Sequence, residues 1–372
     1  MKRYRRIAAL VLSAVLAAGL MGCGGQAATS EPASSDSSAE AEAEAEETED
    51  AVEAEEAPAA EPSGDVIKLK LSHYRAEDSI ADNDAKEFAK NVAAADSSLQ
   101  VDIYPAAQLG DYTTVQELVS VGDVEMQLAT LASQVDKYLG ITSAPYICST
   151  WDEAKAIFGK ESKFTDTIAD HLAQQNIKLL AVYPLYFGGV ISNKEVKDPA
   201  DMDSSKGIKI RCQQMKGAEL VSNMLGYMPT PMPLSDCFTA LQTGTIDGMI
   251  GSGAEGYYTG YKDVATWYLP YNDHFEVWYL YINMDKWNSL NESQQTALQE
   301  AADKLEADRW EVAPTQTAEF EQKLAEEGIE VIEFTDEELQ AFYDRCQETV
   351  WPELTELYGQ EAVDLVASLK GN

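Results

Sequence analysis

Two stretches, KGIKIRC at residues 206–212 and PTPMPLSDCFTALQTGTIDGM at residues 229–249, decide the fold of this 372-residue chain. The alternating Ile208 and Ile210 predict a short strand that ends near Arg211. The three prolines that open the second stretch predict a stiff loop after that strand. In open α/β sheets, ligands bind beyond the carboxyl ends of strands, so the arginine is placed where a binding cleft forms.

The order and spacing of residues 206–249 closely resemble the signature segment of the substrate-binding proteins of TRAP transporters, the DctP-like family. The resemblance implies an α/β, two-lobed, periplasmic-binding-protein-like fold, with hinge strands between the lobes and a long helix bracing both. It also implies that Arg211 binds the carboxylate of an organic-acid ligand. The boundaries that it implies are 65–188 plus 277–315 for lobe I, and 189–276 plus 316–372 for lobe II.

Strand and helix patterns alternate along the remaining chain, which predicts βαβ units and largely parallel sheets. Predicted strands cover 65–72, 99–104, 126–130, 177–183, 208–211, 245–250, 274–283 and 329–334. Predicted helices begin near Ser79, cover 112–121 and 234–242, and follow capping boxes at Asn291 and Thr335. The apolar run over 274–283 is typical of a strand buried on both faces. Pro314 is expected to kink or end the helix that follows Asn291.

The N-terminal region indicates export. Residues 1–22 combine a basic start with an apolar run too short to span a membrane, as in a signal peptide. The tetrapeptide that ends at Cys23 resembles a bacterial lipobox, which implies a lipidated Cys23 at the outer face of the cell membrane; an ordinary secretory signal is the alternative. Residues 24–64 hold 13 acidic and no basic residues, which predicts an extended tether.

Composition narrows the function further. A net charge of −37 argues against nucleic acid as a partner. An acidic surface still permits an anionic ligand, because surface charge is screened over about 8–10 Å whereas a guanidinium acts at contact distance. Three histidines far apart in sequence predict neither a catalytic triad nor a metal site, so we expect no enzyme activity and no cofactor.

The remaining cysteines do not have the spacing of a metal site. They are Cys148, Cys212, Cys237 and Cys346. Export permits disulfides, and both Cys212 and Cys237 lie in the signature region. Free buried thiols and a bridge between these two are both left open by the sequence.

Candidate ligand contacts come from loops and aromatic positions around the expected cleft. The loop after the first strand contributes His73, Tyr74 and Arg75, and the resemblance implies that this loop faces the ligand. The complete set of candidates is Arg211, Arg75, His73, Tyr74, Tyr186, Gly251, Glu255, Tyr257 and Trp278. Arginine binds carboxylates through two parallel hydrogen bonds, aromatic rings supply flat walls, and Glu255 or Glu276 can accept a hydrogen bond from a hydroxyl or amine.

Two departures from the family pattern leave the ligand open. Residues 187–193 lack the second arginine that many family members carry, and whether Arg75 replaces it is open. Residues 247–253 read DGMIGSG where many members carry an asparagine that contacts ligand. The glycines could let backbone approach the ligand or form an anion-holding nest.

The sequence thus predicts a monomeric extracytoplasmic binding protein for a carboxylate-containing organic acid. The expected partners are that acid, the small and large membrane subunits of a TRAP transporter, and the membrane through the lipid anchor. The alternatives are a binding protein of an ATP-driven importer, a ligand-sensing lipoprotein and a surface-anchored carbohydrate hydrolase.

Overall fold

The computed structural model describes residues 66–370, and the structural statements that follow concern this part of the chain. Its eleven strands form two sheets. The strands are β1 Ile67–Ser72, β2 Leu99–Tyr104, β3 Met126–Ala129, β4 Ile177–Phe187, β5 Gly189–Ser192, β6 Lys209–Cys212, β7 Met228–Pro231, β8 Gly248–Ser252, β9 Trp267–Leu269, β10 Phe275–Asn283 and β11 Glu330–Val331.

Helices cover both sheets. They are α1 Ile80–Ala95, α2 Tyr112–Val121, α3 Trp151–Phe158, α4 Lys163–Ala173, α5 Lys216–Met224, α6 Cys237–Gln242, α7 Ala254–Tyr261, α8 Met284–Ser289, α9 Glu292–Glu326, α10 Asp336–Thr349, α11 Trp351–Tyr358 and α12 Gln360–Lys370, with 3-10 turns at Lys137–Ser143 and Leu234–Asp236. The predicted α1 begins after its N-cap Ser79, whose side chain accepts a hydrogen bond from Asp82 N.

Each sheet combines parallel strands with one antiparallel strand. Sheet A has the order β2-β1-β3-β10-β4, in which β1 is parallel to β2 and β3, while β10 is antiparallel to β3 and β4. Sheet B has the order β11-β9-β5-β8-β6-β7, in which β6 is parallel to β7 and β8, while β5 is antiparallel to β8 and β9. The prediction of largely parallel sheets is therefore wrong for β10 and β5.

The antiparallel strands are the two that arrive from the other sheet. The chain passes from β4 in sheet A to β5 in sheet B through the single residue Gly188, and β10 returns to sheet A. The two crossings lie side by side, since Phe275 pairs with Phe187 and Gly188 N donates to His274 O at 2.8 Å. A two-domain α/β fold with crossing strands results, and all nine residues of β10 are buried, as predicted.

Helix α9 is a brace of 35 residues that packs against α1 and β4 of one half and α7 and β11 of the other. The Asn291–Gln294 capping box opens it as predicted. Pro314 does not end the helix. A proline removes one backbone hydrogen bond, and the buried residues on both sides of it, Arg309, Ala313 and Leu324, keep the two segments packed.

The C-terminal helices pack on both halves of the chain. Helix α10 contacts α5, whereas α12 contacts α3 and α4. Sheet A takes its strands from 67–187 and 275–283, and sheet B takes its strands from 189–269 and 330–331. The exact lobe boundaries stay a prediction, as does the assignment of 316–372 to lobe II.

The described part of the chain also bears on membranes and thiols. None of the helices within residues 66–370 combines the length and apolar character needed to cross a bilayer. Cys148, Cys212, Cys237 and Cys346 are all buried free thiols. The predicted signal peptide, Cys23 and the whole acidic tether lie outside the described residues.

Candidate ligand-binding site

Arg211 is held on β6 in the interior of sheet B. Its Nε donates to Met232 O at 3.0 Å and its Nη1 donates to Ile250 O at 3.3 Å. The strand KIRC places it there because Ile210 and Cys212, its neighbours in the strand, are also fully buried. The Arg211 side chain is only 5% exposed, so its guanidinium has lost most of its water without gaining an anion.

Arg75 joins the two halves of the molecule. It follows β1 of sheet A, and its Nη2 donates to the hydroxyl of Tyr186 at the end of β4. Both terminal nitrogens lie 3.4 Å from the hydroxyl oxygen of Ser252 on β8 of sheet B. The guanidinium carbon lies 5.6 Å from the centre of the Trp278 ring and 5.9 Å from that of Tyr186, distances that permit cation–π attraction.

These two arginines differ from the other two in the described chain. Arg309 has a carboxylate oxygen of Asp84 at 3.6 Å, and Arg345 has one of Asp203 at 2.9 Å. Within residues 66–370, neither Arg75 nor Arg211 has a carboxylate oxygen within 4.0 Å. Both are more than nine-tenths buried, and Nε of Arg75 has no hydrogen-bond partner among these residues. Two desolvated guanidinium groups therefore have capacity for an anion.

Two buried acids lie near the arginines. Glu276 on β10 accepts a hydrogen bond from Trp278 Nε1 at 2.6 Å, and the Tyr74 hydroxyl lies 3.5 Å from the same carboxylate oxygen. Glu255 on α7 has one buried oxygen without a hydrogen-bond partner in the described chain. Burial lowers the pKa of Arg75, but Tyr186 and the carboxylates of Glu255 and Glu276 raise it more strongly, so Arg75 stays charged.

His274 links the crossing strands to Glu276. Its Nδ1 lies 2.6 Å from Asp273 and its Nε2 lies 3.4 Å from Glu276. Burial alone would lower the pKa of His274, but Asp273 and Glu276 outweigh it and raise that pKa to about 10. The imidazole is therefore a cation at neutral pH, and it neutralises part of the acid charge behind the site.

Aromatic rings form the walls around these charges. The Tyr74 ring lies 4.5 Å from Trp278 and 5.9 Å from Tyr112, measured between centroids. Burial raises the pKa of Tyr112, while Arg211 lowers it and Glu276 raises it, so this phenol is within electrostatic reach of both charges. We call the set Tyr74, Arg75, Tyr112, Tyr186, Arg211, Ser252, Glu276 and Trp278 the interlobe cluster.

Two glycines on either side of the turn between β8 and α7, Gly251 on β8 and Gly256 on α7, allow this close approach. Gly251 has φ +97°, and a Cβ there would lie 2.3 Å from the Gln213 side chain. A Cβ on Gly256 would lie 2.7 Å from Nη1 of Arg75. These glycines bring backbone against the side chains of the site, and the positive φ of Gly251 strains any larger residue there. Close approach of this backbone to the ligand, or an anion-holding nest, stays a prediction.

The structure brings together most of the predicted contacts and leaves two apart. Tyr74, Arg75, Tyr186, Arg211 and Trp278 are in the interlobe cluster, Gly251 lies in the adjoining turn, and Glu255 lies beside Arg75. Buried His73 instead has Asp82 at 3.2 Å, and Tyr257 donates to Gly189 O at 2.8 Å and lies 3.1 Å from Met249 O. Ligand contact by His73 or Tyr257 stays a prediction.

Sequence reasoning missed Tyr112, Ser252 and the His274 contacts. Tyr112 is the first residue of α2, and Ser252 ends β8, so both stand at element ends that border a cleft. The spacing Asp273-His274-x-Glu276 could have indicated the ion pair between His274 and Glu276, because alternate residues of a strand share one face. No group of metal-ligating side chains is present within residues 66–370.

Comparison with known proteins identifies the same family that the sequence pattern resembles. A family model described as DctP, "Bacterial extracellular solute-binding protein, family 7", matches residues 71–356. The sialic acid-binding periplasmic protein SiaP of Vibrio cholerae is 24% identical over 310 residues, covering 81% of this chain and 92% of that protein. The C4-dicarboxylate-binding periplasmic protein DctP of Rhodobacter capsulatus is 26% identical over 310 residues, covering 81% and 90%.

The fold is also found among solved structures. The sugar acid binding protein DctPAm from Advenella mimigardefordensis, solved in complex with galactonate, matches with a TM-score of 0.75 at 19% identity. The match covers 82% of this chain and 98% of that one. At this identity the likeness shows the two-domain fold.

Proposed function

The chain belongs to family 7 of the bacterial extracellular solute-binding proteins, the DctP family, and from this premise we propose that it captures a small organic acid by its carboxylate and delivers it to a TRAP-type transporter. One observation carries the proposal: Arg75 is buried between the two sheets, Arg211 is buried on β6 of sheet B, and neither has a carboxylate oxygen within 4.0 Å among the described residues. A ligand carboxylate would supply the missing anion through charge-assisted hydrogen bonds.

The known ligands of similar proteins support this proposal. Sialic acid, C4-dicarboxylates and galactonate, which name or occupy three similar proteins, all carry a carboxylate. Their shared chemistry is the group that a buried guanidinium recognises, whereas the rest of each molecule differs. Arg211 therefore supplies the common anchor in this proposal, and the surrounding aromatic residues and acids supply selectivity.

The positions of the two arginines also suggest how capture works. Arg211 belongs to sheet B, whereas Arg75 extends from sheet A to Ser252 of sheet B. An acid that touches both arginines makes its full set of contacts only when the two halves are together. Such differential contact is what allows a ligand to favour a closed state.

Replacing Arg211 by alanine tests the proposal. The charge-assisted bond to a carboxylate is worth about 1.5–3 kcal/mol, so Arg211→Ala should weaken binding of the protein's acid ligand at least about tenfold. Binding is measured by calorimetric titration, after a thermal-shift screen of organic acids has identified that ligand. Arg345→Ala is the matched control, since Arg345 already pairs with Asp203 on the surface. Unchanged affinity in folded Arg211→Ala would refute the site assignment.

We also propose that lipid on Cys23 anchors the protein to the outer face of the cell membrane. The lipobox-like sequence before Cys23 and the acidic stretch after it support this. In cells, Cys23→Ser should release the protein from the membrane fraction and abolish incorporation of labelled fatty acid. Deleting the genes for the transporter subunits should abolish uptake of the ligand; continued uptake would contradict delivery to a TRAP transporter.

A further inference from the structure

Resting on the proposed function, we propose that the ligand is a monocarboxylate whose far end carries N–H or O–H donors, and that Glu276 accepts those donors and disfavours a second carboxylate. Amino acids and polyhydroxy acids share this chemistry. The inference names a substrate class and gives Glu276 the role of a specificity-determining residue.

Glu276 is a charged acceptor built into the wall of the site. It lies on β10, one of the strands that cross between the sheets, and it is only 6% exposed. Trp278 Nε1 donates to one of its oxygens at 2.6 Å, and His274 Nε2 lies 3.4 Å from the other. These contacts fix the orientation of the carboxyl group, yet each of its oxygens can accept more than one hydrogen bond.

The interlobe cluster has a positive side and a negative side. Arg211 lies on β6 of sheet B, while Glu276 lies on β10 of sheet A, beside Tyr74 and Trp278. Arg211 donates to Ile250 O on β8, and Arg75 reaches Ser252, two residues further along that strand. The Arg75 guanidinium carbon in turn lies 5.6 Å from the ring of Trp278, which donates to Glu276. A ligand whose carboxylate reaches Arg211 therefore extends its other end toward the Glu276 side.

Three cations near the site, Arg75, Arg211 and His274, balance three acids, Asp273, Glu255 and Glu276, so one added carboxylate is tolerated better than two. Arg75 already has two buried acids in its electrostatic surroundings, Glu255 and Glu276. His274 lies between Asp273 and Glu276. Arg211 has no carboxylate within 4.0 Å in the described chain. One ligand carboxylate compensates Arg211, whereas a second would face Glu276 across a water-poor space where like charges repel strongly.

The aromatic corner around Glu276 fits the same ligands. Tyr74 and Trp278 pack with their ring centroids 4.5 Å apart, and both donor groups point to Glu276. An ammonium group gains attraction from such rings as well as from the carboxylate. A polyol gains hydrogen bonds from its hydroxyls and packs its C–H groups on the ring faces. A carboxylate gains nothing from either feature.

Three four-carbon acids that differ at one end test the proposal. Calorimetric titration compares succinate, 4-aminobutyrate and 4-hydroxybutyrate, with galactonate as a polyhydroxy probe. We expect at least one donor-bearing acid to bind at least tenfold more tightly than succinate. Tighter binding of 4-aminobutyrate would indicate a ligand with an ammonium group, whereas tighter binding of 4-hydroxybutyrate or galactonate would indicate a hydroxy acid.

Variants then separate this inference from the proposed function. Glu276→Gln keeps an oxygen for Trp278 Nε1 but removes the charge, so it should reduce the preference over succinate at least tenfold. Glu348→Gln, at an exposed helical acid, is the control and should change nothing. Circular dichroism confirms that both variants fold. The order of affinities of the four acids for the wild-type protein tests the inference without any variant.

The outcomes are distinct. If acids bind through Arg211 but succinate is preferred, or if folded Glu276→Gln leaves the ranking unchanged, the inference is overturned and the proposed function stands. If a donor-bearing acid binds equally well to Arg211→Ala, the proposed function fails. If none of the three donor-bearing acids binds, the inference is overturned, and the wider thermal-shift screen of organic acids decides the proposed function.

Discussion

Gly188, the single residue between β4 and β5, should not tolerate even a methyl group. A Cβ built on this glycine lies 2.0 Å from Cε1 and 2.2 Å from Nδ1 of His274. Ordinary contact begins at about 3.4 Å, so in Gly188→Ala the imidazole would have to move by more than about 1 Å. It cannot do so freely, because Asp273 and Glu276 hold its two nitrogens.

The cost follows from these contacts. Overpacking a close-packed site costs about 1–3 kcal/mol, and weakening a charge-assisted hydrogen bond to His274 costs about 1.5–3 kcal/mol. We therefore expect Gly188→Ala to lower the free energy of unfolding by about 2.5–6 kcal/mol. Because Glu276 also loses its orientation, ligand affinity should fall as well.

Urea denaturation followed by tryptophan fluorescence measures the effect. Gly260→Ala is the matched control, since a Cβ there meets nothing within 4 Å and Gly260 lies within helix α7. That change should raise stability by about 0.5–1 kcal/mol, because alanine favours helix over glycine. A Gly188→Ala protein as stable as wild type would show that His274 does not occupy the space beside the crossing strand.

Two further predictions concern His274 and the loop beneath Arg75. The pKa of His274, about 10 when folded against 6.5 normally, gives stability that is complete below pH 6.5 and is lost as pH rises through 10. The free energy of unfolding should thus fall by up to about 1.4 kcal/mol per pH unit between pH 6.5 and 10, and it should fall less steeply in His274→Gln. Equal slopes for the two proteins would contradict the ion pairs of His274 with Asp273 and Glu276. Ala107 lies beneath the site loop with φ 57°, a conformation that strains alanine but not glycine. Ala107→Gly should therefore raise the free energy of unfolding by up to about 1 kcal/mol, whereas the control Ala94→Gly in helix α1 should lower it by about 1 kcal/mol. A lower stability of Ala107→Gly in thermal denaturation would refute the strain.

Local sequence patterns predicted helices and strands well where the residues that start or end an element lie close together in the sequence. The helix Tyr112–Val121 has the predicted bounds, and the capping boxes at Asn291 and Thr335 are both present, because side-chain caps are encoded within four residues. The predicted strand over 329–334 is shorter, with only Glu330 and Val331 paired, because it is an edge strand whose one neighbour, β9, has three residues. Strand direction was not predictable, since alternation reads the same in parallel and antiparallel pairs.

The site was predicted in part for the same reason. Arg211 lies near the end of β6, and Arg75 follows β1. Both were predictable because clefts in α/β sheets form at the carboxyl ends of strands. Ser252 and Glu276 depend on how β8 and β10 pair across the crossing segment, which no local pattern specifies. Tyr257 has the same residue type as Tyr186 and lies near the same turn, yet the helix rotation of α7 directs its hydroxyl to Gly189 O.

Burial protects the four thiols of the described residues from oxidants. Burial raises the pKa of Cys148, Cys212, Cys237 and Cys346, so little reactive thiolate exists at neutral pH. Disulfide exchange and peroxide attack both require that thiolate at an accessible surface. These four thiols should therefore stay reduced in air, and a cysteine introduced on the surface would carry a fluorescent label without competition from them.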